Sequence, residues 1–296
     1  MNPTLSPLPE NPQAEIRIAL AQISPTLGNR QKNHERHWEQ INLARQGGAD
    51  LIVFPELSLS GYCLRDQVPD VALPRTSAEL AQLALVAGPA GLVLGFVEQS
   101  SQFRFYNSAL FAENSRVQHV HRKVYLPTYG MFDEQRYFAR GERIQAFSSP
   151  KFGRVGLLVC EDFWHLSAAV VLQAEEIDLL ICIANSPARG LEAEVSQTSQ
   201  TYNLLSRLYA QMLGVAVVLV NRTGYEDGLC FWGGSRVVAP DGSILAEAPM
   251  YEEALLHVTY SRSALRRQRI LSPLGRDERW DLTLAELQRI QAAKFQ

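Results

Sequence analysis

Three polar residues of complementary chemistry each stand at the end of a stretch that reads as a strand. Gly153 to Val159 runs into Cys160, Asp50-Leu51-Ile52-Val53-Phe54-Pro55 runs into Glu56, and Val117 to Arg122 runs into Lys123. A thiol needs a base before it becomes a nucleophilic thiolate, and a carboxylate such as Glu56 can take that proton. Acyl transfer then needs a donor at the developing oxyanion, which Lys123 and the backbone N–H of Glu161 can supply. A cation beside the thiol also lowers its pKa. Each residue taken alone has a plainer reading. Free cysteine is among the most buried residue types, a glutamate after Pro55 can simply have reached solvent, and a lysine at a strand end is ordinarily solvated. Together the three form a consistent set of nucleophile, base and oxyanion cation.

Such groups need rigid supports, and strand ends supply them. Apolar or β-branched runs predict strands at Ile16 to Ile23, Asp50 to Phe54, Leu92 to Val97, Asn107 to Ala112, Val117 to Lys123, Gly153 to Cys160, Asp178 to Ala184, Val215 to Val220 and Leu255 to Tyr260. Gly234 to Val238 and Ser243 to Ala246, joined by Pro240-Asp241-Gly242, predict a hairpin. Helical spacing covers Asn29 to Gln46, with Trp38, Ile41 and Ala44 as its apolar positions and Gly47-Gly48 as its stop. Further helices are expected at Ser77 to Ala87, Leu166 to Glu176 and Ser196 to Leu213, and Thr283-Leu284-Ala285-Glu286 reads as a capping box opening a last one. Tyr125 to Arg143, rich in turn formers and aromatics, reads as a shaped loop. Strands and helices interleave without a composition break, which favours one α/β domain. The strands starting at Asp50 and Asp178 echo each other, as two halves of a two-sheet sandwich would.

Composition narrows the classes. The chain has 296 residues, 46% hydrophobic and 20% charged, as a soluble globular protein would. A net charge of -3 gives no footprint for nucleic acid or an anionic membrane. Residues 1–15 read as a flexible polar leader without the layout of a signal peptide, and no apolar run approaches the ~20 residues that span a bilayer. The four cysteines, Cys63, Cys160, Cys182 and Cys230, include no CxxC pair, which argues against zinc and disulfides and for a reducing cytoplasm. His34 and His37 on a helix, and His119 and His121 on a strand, lack the further ligands a metal site requires. His165 invites a Cys-His dyad with Cys160 but sits just ahead of the next helix, with no supporting pattern. Cys182 reads as core, and Cys63 as a wall of the pocket.

In their order and separations, Phe54-Pro55-Glu56, Arg122-Lys123-Val124-Tyr125-Leu126-Pro127 and Leu158-Val159-Cys160-Glu161-Asp162 resemble the three signatures of the nitrilase, or carbon–nitrogen hydrolase, superfamily. The resemblance runs from about Ile16 to Tyr260 and takes in Asn221-Arg222-Thr223-Gly224 and Gly233-Gly234-Ser235. It implies a four-layer α-β-β-α sandwich for residues 16–260, a Glu-Lys-Cys triad and cofactor-free hydrolysis of a non-peptide C–N bond. It also implies a second glutamate after the lysine. Glu134 is the match in Met131-Phe132-Asp133-Glu134, and Asp133, its neighbour, reads as a local turn carboxylate.

Lys123 through Phe138, Cys160-Glu161-Asp162-Phe163-Trp164 and Asn185-Ser186-Pro187 are similar to the glutaminase domain of glutamine-dependent NAD synthetases. In that branch, residues matching Tyr129, Glu161 and Ser186 hold the glutamine head group, and Glu161 can meet its α-ammonium. No SGGxDS-like phosphate loop occurs, so the ATP-using synthetase half is expected to be absent. Ser186 to Gly190 is shorter than the branch's usual loop, which leaves a carboxylate-binding role for Arg189 open. A nitrilase proper typically carries Cys-Trp-Glu, whereas this chain has Cys-Glu-Asp. The expected function is thus hydrolysis of a small carboxamide, glutamine or another ω-amide included, through a thioester. Its alternatives are a glutaminase subunit feeding a separate synthetase, and a catalytically idle scaffold. The resemblance also implies a homodimer or larger assembly, with residues 261–296, including Arg266, Arg267 and Arg269, as an interface arm or a solvated basic tail.

Overall fold

Alternation along the strands decides the layers. In Glu15–Gln22, Ile16, Ile18 and Leu20 face one side and Ala19 and Ala21 the other, and both sets are buried. A strand buried on both faces belongs to a covered sheet. The computed structural model describes residues 15–189, 191–192 and 195–294. The expected leader, apart from Glu15, lies outside the described residues.

One six-stranded sheet runs in the order Ala254–Ser261, Glu15–Gln22, Leu51–Val53, Gly91–Gln99, Phe105–Glu113, Arg116–Arg122. The other runs Ile244–Glu247, Arg236–Val238, Ala216–Asn221, Leu179–Ala184, Gly153–Val159, Phe147–Ser149. Each has three parallel strands at its centre and antiparallel strands outside them. The sheets pack face to face through Ile18, Val53, Val93 and Phe111 on one side and Val155, Leu157, Ile181 and Val218 on the other. Helices Arg30–Gln46 and Ala78–Ala87 cover the first sheet's outer face with Ile41, Ala44, Leu80 and Leu83. Helices Leu166–Ala174 and Gln197–Leu213 cover the second with Ala168, Leu172, Tyr202 and Tyr209. The result is the α-β-β-α sandwich. Side-chain caps start three of these helices: Asn29 accepts from the Lys32 N–H, Ser77 from Leu80 and Ser196 from Ser199.

The internal echo has an atomic counterpart. Asp50 donates its N–H to the Arg17 carbonyl and accepts the Arg17 N–H on its carboxylate, at 2.7 and 3.0 Å. Asp178 does the same with Arg154, at 2.6 and 2.9 Å. Both aspartates clamp an incoming strand to its parallel neighbour, one in each sheet.

Two local expectations are corrected. On Arg30–Gln46 the inward face runs Asn33, His37, Ile41, Ala44, while Trp38 is half exposed. His37 takes the core position because Asn33 O and Ser58 Oγ satisfy both ring nitrogens, at 2.7 and 2.9 Å. The last helix is Trp280–Lys294 and does not open at Thr283, whose N–H already bonds to the Arg279 carbonyl. The loop expected over Tyr125 to Arg143 contains one short helix, Glu134–Tyr137.

Candidate active site

Cys160, Glu56 and Lys123 leave their strands at the same edge of the sandwich. Cys160 begins a tight turn, Cys160–Trp164, directly after Gly153–Val159, and its backbone has φ +48°. A non-glycine residue in this left-handed region is uncommon and clusters at functional sites. The turn carries the sulfur out of the strand ladder and leaves it partly exposed.

Glu56 is fully buried and accepts three hydrogen bonds: on Oε1 from Lys123 Nζ (2.8 Å) and Asn107 Nδ2 (2.6 Å), on Oε2 from the Asn185 N–H (2.6 Å). Lys123, also buried, reaches Glu134 Oε1 at 2.7 Å, and the same oxygen accepts the Tyr62 hydroxyl at 2.7 Å. Glu134 is the buried first residue of its short helix, while Asp133 beside it is exposed, with Arg136 at 4.0 Å. Two glycines make this packing possible. A Cβ on Gly95 would lie 2.2 Å from Leu57 N and 2.7 Å from Glu56 Cα, and one on Gly141 would lie 2.1 Å from the Arg122 carbonyl oxygen. Backbone can approach the segments of Glu56 and Lys123 this closely only where no side chain intervenes.

Electrostatics follow from burial and from the count of charges. Burial raises the Cys160 thiol well above its ordinary value, Glu56 adds to the rise, and Lys123 opposes it. Burial alone would lower Lys123, but Glu134 and Glu56 override it and hold the ammonium charged. Burial and then repulsion from Glu56 raise Glu134 to about 7 against the pull of Lys123. The thiol therefore rests protonated beside a carboxylate and a fixed cation.

Asp162, two residues past the cysteine, ties this corner together. Its Oδ1 accepts the Val124 and Tyr125 N–H groups, each at 2.9 Å, and its Oδ2 the Val159 N–H at 3.1 Å, with His121 Nε2 at 2.8 Å. At the rim, the Tyr129 hydroxyl donates to the Glu161 carboxylate at 3.0 Å, and Arg189 lies over the Phe132 ring at 4.8 Å and the Tyr129 ring at 5.6 Å. Ser186 is held through its backbone, its N–H donating to Asn221 Oδ1 at 2.8 Å, and no hydrogen bond among the described residues joins it to Tyr129 or Glu161. His165 stacks on Tyr125 at 3.6 Å and makes no hydrogen bond to Cys160. Cys182 is core, and Cys63 lines a cavity of about 510 Å³ together with Tyr62, Phe132 and Glu134. Asn107, Tyr62 and Tyr202, whose hydroxyl lies 3.4 Å from Cys160 Sγ, carried no sequence signal of their own. Asn185 stood in a recognisable motif without a role. Among the described residues no group of three or more His, Cys, Asp or Glu side chains could hold a metal ion, and no helix is long and apolar enough to cross a membrane.

The family model for carbon–nitrogen hydrolases matches residues 17–270. The glutamine-dependent NAD(+) synthetase of Acinetobacter baylyi is 34% identical over 257 residues, covering 86% of this chain and 46% of that protein. The structure of the Acinetobacter baumannii glutamine-dependent NAD+ synthetase superposes with a TM-score of 0.75 at 32% identity, over 85% of this chain and 46% of that one. An amidase from Nesterenkonia sp. superposes with a TM-score of 0.73 at 26% identity, covering 93% of this chain and 96% of the other. The chain thus spans about half the length of the curated relatives it matches. The sandwich, the Glu-Lys-Cys corner and a match over most of the length agree: the chain belongs to the carbon–nitrogen hydrolase family.

Proposed function

We propose that this hydrolase is a thiol amidase that cleaves a small carboxamide through a thioester. Glu56 takes the Cys160 proton as the sulfur attacks the amide carbonyl, and Lys123 with the Glu161 N–H receives the charge on the oxygen. Ammonia departs with a proton returned by Glu56. The same carboxylate then deprotonates the water that opens the thioester. The observation that carries this reading is the bonding of Glu56. A carboxylate offers about four acceptor positions, and Lys123, Asn107 and the Asn185 N–H occupy three. The last belongs to Oε2, and it is the proton acceptor in this scheme. Lys123 likewise spends two of its three N–H donors on Glu56 and Glu134 and keeps one for the oxyanion.

A substrate with an amino-acid head group suits the rim, where the Glu161 carboxylate accepts from the Tyr129 hydroxyl and the Arg189 guanidinium lies over the Tyr129 ring. A carboxylate and a guanidinium complement an α-ammonium and an α-carboxylate, which favours glutamine or another ω-amide. Replacing Cys160 with Ala is expected to abolish turnover with the circular dichroism spectrum unchanged, and Glu56→Gln to do nearly the same. Full-speed hydrolysis by Cys160→Ala would overturn the mechanism. A screen of glutamine, asparagine, aliphatic amides and carbamoyl amino acids, read by ammonia release and by the mass of Cys160 peptides, identifies the substrate.

A second reading is supported by the relatives named above. In it, the chain is a glutaminase that hands ammonia to a separate synthetase. Glutamine hydrolysis would then be slow alone and rise when a synthetase partner is added, whereas a free-standing amidase would be indifferent to it.

A further inference from the structure

We infer that the Tyr202 hydroxyl is a catalytic hydrogen-bond donor to the Cys160 sulfur, stabilising it both as the attacking thiolate and as the group expelled from the thioester. The inference rests on the proposal that Cys160 is the nucleophile. Tyr202 projects from helix Gln197–Leu213, is 1% exposed, and places its hydroxyl 3.4 Å from Sγ. Three aromatic rings fix it there: Phe163 stacked at 6.1 Å, Trp164 edge-on at 5.4 Å and Trp232 tilted at 5.8 Å. Phe163 and Trp164 belong to the turn that Cys160 begins, so nucleophile and donor are positioned by one unit.

The direction of the hydroxyl hydrogen follows from the contact itself. The Tyr202 hydroxyl is placed to donate to Cys160 Sγ at 3.4 Å, and a phenol O–H is a stronger donor than a thiol, whose sulfur accepts. Burial raises Tyr202 far above its ordinary value, so it stays a donor throughout the working range. The sulfur needs such a group. The titratable groups that act on Cys160 include Glu56, Lys123, Glu134, Cys182, Tyr62 and Tyr202. Burial and Glu56 disfavour the thiolate, and Lys123 and Tyr202 favour it. The one free N–H of Lys123 is needed at the carbonyl oxygen, and among the described residues the Tyr202 hydroxyl is a donor within reach of the sulfur.

In acylation the S–H proton passes to Glu56, the S–C bond forms, and the C–N bond breaks as Glu56 returns the proton to nitrogen. In deacylation water gives a proton to Glu56, its oxygen bonds to the carbonyl carbon, and the S–C electron pair returns to sulfur. There the Tyr202 O–H receives the charge before Glu56 restores the thiol proton. No oxidant or cofactor enters.

The test is the rate of iodoacetamide alkylation of Cys160, followed by peptide mass mapping between about pH 6 and about pH 10. Tyr202→Phe removes one oxygen and keeps the ring among its neighbours. Its alkylation profile is expected to shift upward by about one pH unit, with about a tenfold lower rate near neutrality. Trp164→Phe, which shrinks one of the rings that fix Tyr202, should shift the profile the same way by less. It carries the test if Tyr202→Phe proves unstable on heating. A profile that coincides with wild type in both variants overturns the role of Tyr202. Failure of the underlying proposal is distinct: Cys160→Ala would then remain active, whatever Tyr202→Phe does to the thiol.

Discussion

Two carboxylates meet one ammonium in the buried cluster, and their charges do not cancel. With Glu56 and Glu134 both ionised, Lys123 leaves a net negative charge among groups cut off from water, which the surroundings resist. The proton that relieves this sits on Glu134, raised from 4.5 to about 7 by burial and then by Glu56. The linkage has a definite sign. Below the unfolded value both states carry the proton and the native state keeps its full advantage. As pH rises toward 7 the unfolded chain ionises first, and stability is lost until the folded group ionises too. Glu134→Gln mimics the protonated state and removes the effect. Between about pH 4.5 and about pH 7.5 the wild-type Tm should fall relative to that of Glu134→Gln, and a pH-independent difference measured by thermal denaturation would sink the account. At this scale the sequence was most legible where residue type was unusual for its place, as with Glu56 after Pro55 or Cys160 after Val159. Tyr202 and Asn107 gave nothing away, because an aromatic on an amphipathic helix or an asparagine in a strand fits ordinary packing. Tyr202 is also 42 residues from the sulfur it meets.

Elements hold these residues to tolerances that single contacts could not. Asp162 joins the end of Gly153–Val159 to the segment just past Lys123 by accepting three backbone N–H groups and facing His121. Removing the carboxylate would strand those donors in a dry corner, and each buried donor left unpaired costs about 1–3 kcal/mol. Asp162→Ala should therefore destabilise the fold by about 3 kcal/mol or more in chemical denaturation, and lower turnover more than in proportion to the folded fraction. Unchanged stability would mean the corner is held from elsewhere. Periodicity made the strands of the two sheets readable apart from the short outer Phe147–Ser149, and three of the helix starts, because a covered sheet needs apolar runs and a helix needs its first N–H groups capped. It failed where a polar group had found partners inside. His37 displaced Trp38 from the core face, and Thr283 could not start a helix that Trp280 had already begun. Sheet order was not legible either, since nothing local says that Ala254–Ser261 returns to pair with Glu15–Gln22.

For the whole molecule, the outermost layer over the second sheet is apolar on its solvent side. Helix Leu166–Ala174 exposes Leu166, Val170 and Val171, and Gln197–Leu213 exposes Leu204, Leu208 and Met212. The terminal helix Trp280–Lys294 buries none of its residues in the chain, and Leu284, Leu287 and Ile290 repeat every third position along it. Arg269, by contrast, is held within the chain by Asp178 and the Ile177 carbonyl, so the segment leading to that helix is anchored to its own body. Fully covering one such leucine stabilises by about 1.5–3 kcal/mol, and several together can offset the cost of association. The expected state is a homodimer that covers this layer, giving light-scattering mass near twice 33.1 kDa. Leu204→Asp combined with Leu208→Asp would place charge where the partner packs. That variant should elute as a folded monomer, because both side chains are already partly in solvent within one copy. A wild-type monomer at micromolar concentration would remove the dimer, and a double variant that stays dimeric would move the interface off these helices.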